Sequence, residues 1–213
     1  MIDCPIAILP GNSDLWPDHD SSSIMKFEHT LPGIARDLDY HWLETEPLLL
    51  PGGVAICGSI AWYDYSTAEP ALQQNNADIL IAKPRCTLDA QRVNWEYSDP
   101  EFAQLCRERL LRNLTAIEAN PAVAQLIVVT HMPVFESQLE RDPSDEELSL
   151  AAAYAGNLTL GEEIRRFAKV THVVSGHTHA GQNGIVERDG LPPIATAVVP
   201  SDYGRPRWVT LEI

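Results

Sequence analysis

Two histidines stand two residues apart behind an apolar run in Val173–Gly181 (VVSGHTHAG), and a third closes a similar run in Ile127–Val134 (IVVTHMPV). Neutral imidazole is the commonest metal-ligand side chain and binds first-row divalent cations well. In extended backbone, His177 and His179 would project to one side. His131 would end a neighbouring strand, and Gly176, Gly181 and Thr130 are small enough to let backbone and ion approach closely. Gly11-Asn12-Ser13-Asp14, just past another apolar run, adds an amide oxygen and a carboxylate. The chain has no GxSxG, P-loop or GxGxxG motif, and no Cys–His pairing by spacing. A metal-activated water is therefore the nucleophile that a hydrolytic site of these residues would use.

Such a site needs strands that end side by side, because open α/β sheets carry their chemistry at the carboxyl ends of strands. Pro5–Leu9 reads as a short buried strand ended by Pro10-Gly11, and Gly53–Cys57 as a second. Gln125–Thr130 is a fully apolar strand of the parallel type, and Thr171–Ser175 is the next. Ala195–Val199 and Trp208–Ile213 read as a final antiparallel pair with a turn at Asp202–Pro206 between them. A helix is expected from His29 to Glu44, with Leu31, Ile34, Ala35, Leu38 and Trp42 as its stripe, stopped by Pro47. The clearest helix starts with Asp99 as cap and Pro100 at its first position, and repeats Phe102, Leu105, Cys106, Leu110, Leu114 and Ile117. Asp78–Ala82 reads as a short strand or helix end, Pro84–Glu96 and Met132–Leu148 as loops, and Leu150–Ala155 as a short helix. Thr159 with Glu162 reads as the capping box of a helix reaching Lys169. Strands alternating with helices and then strands alone make a mixed, layered α/β domain.

At 213 residues the chain is sized for one domain over 1–213. A net charge of −15 leaves no basic stripe to release counterions, which argues against a nucleic-acid surface. Small phosphorylated substrates stay open, since a bound cation inverts the local field. Cys4, Cys57, Cys86 and Cys106 are widely spaced without a CxxC, so free thiols and a cytoplasmic location are expected. No apolar stretch is long enough for a membrane span. His172 reads as a packed or edge histidine, and His19, His29 and His41 as surface or helix residues. The run Asp142–Glu147 reads as a solvated loop. Trp62–Tyr65 reads first as core, with a substrate wall as the other choice.

The blocks GNSD (Gly11–Asp14), VVTHMP (Val128–Pro133) and SGHTH (Ser175–His179), in this order, resemble the calcineurin-like metallophosphoesterases. GSIAWYDYS (Gly58–Ser66) and Tyr154–Phe167 look like one branch of predicted phosphohydrolases, and the similarity runs from about residue 5 onward. The resemblance implies an α/β/β/α sandwich holding two divalent cations about 3–4 Å apart that clamp a phosphomonoester or phosphodiester and activate a hydroxide. It implies Mn²⁺, with Fe, Zn or Mg as alternatives. By resemblance Asn12, His131 and His177 would ligate one metal, with the Asn12 amide also contacting phosphate. His179 would ligate the other metal, and Asp14 would be an orienting carboxylate in the catalytic group with Asn12.

The chain departs from the family pattern in two places. The family's Asp-x-His and Gly-Asp blocks, which precede GNSD and supply a bridging aspartate, have no counterpart here. The histidine of the usual GNH[DE] block, a general acid for the leaving alcohol, is Ser13. The chain is therefore expected to be an N-terminally shortened sandwich, the alternative being a protein that extends upstream of Met1, and its hydrolysis to be weak or absent. The competing expectation is a catalytically inactive metal-binding or protein-interaction scaffold. An exposed sheet edge would give either form a route to oligomers. A third reading is an α/β domain whose histidines only pack.

Overall fold

A computed structural model describes residues 4–18, 21–69, 76–142, 144–201 and 204–212. Its main sheet has six strands in the order β3-β4-β5-β6-β8-β7, comprising β3 (Leu48–Leu50), β4 (Val54–Ser59), β5 (Gln125–Thr130), β6 (Val170–Ser175), β7 (Asn183–Arg188) and β8 (Leu191–Val198). The inner strands β4, β5, β6 and β8 run parallel, and β3 and β7 add antiparallel edges. A separate parallel pair joins β1 (Ala7–Ile8) to β2 (His41–Trp42). The described residues thus form a mixed α/β architecture with helices packed on a multi-stranded sheet.

The long helix Asp99–Ala119 and the helix Leu158–Ile164 lie over one face of the sheet. There Leu110, Leu114, Ile117, Leu160 and Ile164 bury themselves against Ala55, Cys57, Leu126, Val128, Val170 and Val173. In β4 and β5 these residues alternate, as a period of two requires, while in β6 a register shift opposite Leu126/Ile127 puts Val170 and Val173, three apart, on the same face. A second core gathers Leu15, Phe27, Trp62, Tyr63, Phe102, Met132 and Tyr154 beyond the strand ends. Trp62 and Tyr63 are fully buried and stack at 4.7 Å, so core packing is their role. Among the described residues no helix is long and apolar enough to cross a membrane. All four cysteines are free.

Several expected boundaries move, each for a local reason. The first helical run spans Ser23–Met25, a π turn at Lys26–Thr30 and Leu31–Asp37, so it starts earlier and ends sooner than expected. Pro32 cannot donate a backbone bond, and the wide turn ahead of it, with Leu31 N on Lys26 O, accommodates that loss. The run stops where Asp39 takes φ 57°. Tyr40 N then donates to Ala35 O at 2.8 Å and Asp39 N to Arg36 O at 3.1 Å, a Schellman pair. Ile34 and Leu38 are exposed rather than part of a buried stripe. Asp99 does not cap its helix: Ser98 is the N-cap, and its N–H and hydroxyl both donate to Glu101. Asp99 turns inward to accept from Trp62, Tyr65 and Lys83.

The Leu158–Ile164 helix is likewise capped by buried Asn157, whose Oδ1 accepts from Leu160 N, and not by Thr159 with Glu162; it ends well before Lys169. Asp78–Ala82 lies inside a helix, Asn76–Cys86, and a short helix, Asp89–Arg92, interrupts the expected loop after it. Likewise Met132–Leu148 contains a 3₁₀ turn, Glu136–Gln138, and the start of a helix, Glu146–Ala151. Within Leu150–Ala155 the residues Ala152–Tyr154 form a 3₁₀ turn. Ala7 and Ile8 are half-buried and pair outside the main sheet, so Pro5–Leu9 is not a buried core strand.

The antiparallel partner of β8 is β7, joined to it through Asp189-Gly190 with Gly190 at φ 71°. Glycine takes this left-handed conformation at no steric cost, and Asp189 beside it stays outside the positive-φ region. Residues 208–212 form no strand, and Trp208 is 84% exposed. His19, part of the turn at Asp202–Pro206, and Ile213 fall outside the described residues.

Candidate functional site

The carboxyl ends of β5 and β6 lie side by side. Thr130 pairs with Ser175 in register, and their hydroxyls share a 2.7 Å hydrogen bond. Just beyond, Gly176 N donates to His131 O at 2.9 Å, tying the two histidine-bearing loops together. Buried Gln138 clamps the same corner. Its Oε1 accepts from Val134 N and Phe135 N, and its Nε2 donates to Ser175 Oγ and Ala197 O. Unpaired backbone and hydroxyl groups would be costly in so dry a place, and one amide satisfies four of them.

His131 and His177 approach with ring centroids 5.1 Å apart, edge to face. Asn12, carried by the 3₁₀ turn Asn12–Leu15, places Oδ1 3.0 Å from His131 Nε2. Gly11 makes this approach possible, since a Cβ there would lie 2.9 Å from His131 Cε1. These residues line one cavity of about 370 Å³ together with Ser13, Asp14 and His179. Asp14 accepts from Gly11 N at 2.8 Å and so stiffens the turn that carries Asn12.

His177 and His179 do not project from extended backbone. Both adopt the left-handed conformation, at φ 63° and 58°, which costs on the order of 1–2 kcal/mol for a residue with a Cβ. His177 is turned inward and His179 is exposed at the rim. The strain is held by surrounding bonds, as at many functional loops. His177 Nε2 faces the Tyr154 carbonyl at 3.2 Å. A carbonyl only accepts, so Nε2 carries the proton and the lone pair of the neutral ring sits on Nδ1.

Burial, assisted by His177 and His179, pushes the His131 pKa down to about 3, and burial lowers that of His177 as well. Both rings are therefore neutral near pH 7, the form that ligates metals. The 3.0 Å between His131 Nε2 and Asn12 Oδ1 also matches two adjacent donors each about 2.1 Å from one octahedral ion. With His177 they form a three-donor set of two nitrogens and one oxygen. Among the described residues no group of three or more His, Cys, Asp and Glu is placed to hold a metal ion. A cation held on Asn12, His131 and His177 would need water or substrate to complete its shell, and no carboxylate among the described residues is placed to bridge a second one.

Asp89 belongs to the site and has no signal in the sequence. It is almost fully buried, and its oxygens accept from both the Asn12 amide at 3.0 and 3.1 Å and the Trp16 indole at 2.7 Å, with the Tyr63 hydroxyl at 3.5 Å. Its short helix falls in a stretch without helical periodicity, and only the fold brings it beside Asn12. Tyr154, Cys86 and Thr87 are further wall residues that spacing does not indicate.

No family model, no curated protein and no solved structure matches this chain.

Proposed function

We propose that the chain is a metal-dependent phosphoester hydrolase domain that holds one divalent cation on Asn12, His131 and His177. His179 and Asp14 stand at the cavity rim, where substrate enters. The observation that carries the reading is the convergence of three neutral donors from three chain segments in one cavity behind adjacent strand ends. The resemblance of GNSD, VVTHMP and SGHTH to calcineurin-like metallophosphoesterases supports the same reaction. The separate β1–β2 pair supports the finer fold reading, an α/β/β/α sandwich. A bound cation, with Mn²⁺ as first choice, would polarise a phosphoryl oxygen and supply a nucleophilic water. The protein's part is to present neutral imidazoles, to aim the Asn12 oxygen and to keep the cavity floor dry.

The lack of a bridging carboxylate among the described residues favours a second reading, a cation-binding scaffold without turnover. One experiment separates the two. Mn²⁺ binding is followed by electron paramagnetic resonance, and hydrolysis of p-nitrophenyl phosphate and bis-p-nitrophenyl phosphate is measured on the same sample. The hydrolase reading expects one Mn²⁺ per chain, turnover that needs it, and loss of both in His177→Ala. Stoichiometric Mn²⁺ without turnover leaves the scaffold, and no Mn²⁺ at all refutes both.

A further inference from the structure

A second cavity, of about 270 Å³, adjoins the first and shares Cys86, Thr87 and His177 with it. Its remaining wall is mostly apolar, built from Leu139, Leu148, Ala151, Ala152, Tyr154 and Ala155 with Glu140 and Thr178. We infer that this cavity seats the leaving alcohol of the ester and that this alcohol is a small uncharged aryl group. The inference rests on the phosphoester hydrolase reading and extends it to substrate class.

Size, charge and hydrogen bonding agree. An apolar cavity of roughly 150 Å³ already holds benzene, so a substituted phenyl ring fits here. No lysine or arginine is among the described residues lining the cavity, whereas Glu140 is. A leaving group bearing phosphate or carboxylate would find no counter-charge and would face Glu140, which disfavours nucleotides and sugar phosphates. Thr178 Oγ1 is buried at this wall without a hydrogen-bond partner among the described residues, placing one hydroxyl where an aryl oxygen or ring substituent can use it.

The chemistry points the same way. In hydrolysis the water oxygen bonds to phosphorus as the bond from phosphorus to the aryl oxygen breaks. The electron pair leaves on the aryl oxygen, and the water proton passes to solvent. Ser13 occupies the turn beside Asn12, and a serine hydroxyl is a poor proton donor at neutral pH. A phenol, with a pKa of about 10 like that of tyrosine, departs without such help far more readily than an alkyl alcohol.

The test is isothermal titration of the Mn²⁺-loaded protein with phenylphosphonate and methylphosphonate, which bind without being hydrolysed. Burying the ring should make phenylphosphonate about 10–100-fold tighter. Ala151→Phe, which fills the cavity, should erase that preference while methylphosphonate affinity stays. Leu148→Asp, at a partly exposed wall position, should do the same if the first variant fails to fold. Equal affinities in the parent protein, or a preference that survives in a folded variant, overturn the inference alone. Mn²⁺-loaded protein that binds neither phosphonate overturns the hydrolase reading and this inference with it.

Discussion

Asn12 Nδ2 lies 3.0 and 3.1 Å from the two carboxylate oxygens of Asp89, a residue 77 positions further along the chain. A carboxylate can only accept, so this contact decides which end of the amide faces the cavity: Oδ1 is turned to His131. Trp16 Nε1 donates to the same carboxylate and keeps it in place.

Removing Asp89 should therefore cost stability as well as site geometry. Asp89→Ala leaves the Asn12 amide and the Trp16 indole without their acceptor, a loss of about 2–4 kcal/mol. Urea unfolding of metal-free protein checks it. Asn12→Asp should destabilise similarly by facing one carboxylate with another, and adding Asp89→Asn should restore most of the loss. A double variant no better than the sum of the singles contradicts the pairing.

Gly11→Ala isolates the approach of Asn12 to His131. Gly11 has φ −92°, which any L residue adopts, so the cost is steric rather than conformational. The new methyl would meet His131 Cε1 at 2.9 Å and push the ring off its line to Asn12. Mn²⁺ affinity should fall by about tenfold, the equivalent of roughly 1.4 kcal/mol. Unaltered affinity in a titration would show that the ring is not a ligand.

Gln138→Ala tests the clamp behind the strand ends. It leaves Val134 N, Phe135 N and Ser175 Oγ without this partner in a buried corner. About 2–4 kcal/mol of destabilisation is expected. Hydrogen exchange should show the loops after β5 and β6 opening earlier than the strands.

Glu44 supplies the pH dependence. It is fully buried, with Ile60 N donating to it and Arg109 and Glu28 contributing opposed charge effects; burial dominates and pushes its pKa up to about 8. The folded state thus keeps a proton that the unfolded state releases near 4.5. Stability contributed below that value is lost as pH rises toward about 8. The depressed His131 and His177 act in the opposite sense below their ordinary value of 6.5. Between pH 6.5 and 8 the urea midpoint should therefore fall, and Glu44→Gln should flatten it; a parent midpoint that stays level there would contradict the buried carboxyl.

The elements with the expected bounds are those where one short-range pattern dominates. Gln125–Thr130 is a strand with the expected bounds because an unbroken apolar run between parallel neighbours has no competing period. The Asp99–Ala119 helix follows its 3.6-residue stripe, although the cap moved to Ser98. Bounds differ where one residue decides them. Asp39 in a left-handed conformation ends a helix whose apolar spacing continues to Trp42, and the Asp189-Gly190 turn makes β7, not the C-terminal segment, the antiparallel partner of β8.

For the site, Asn12, His131, His177 and His179 were legible because each follows an apolar run, and strand ends are where a parallel sheet delivers side chains. Residue types and order alone thus determined that these side chains gather beyond the strand ends. Tertiary structure decided the rest. The left-handed turns at His177 and His179 set one ring inward and one at the rim, and Asp89 reached Asn12 from a distant helix. Neither follows from spacing, because backbone strain and a contact across 77 residues exist only once the packing around them holds both in place.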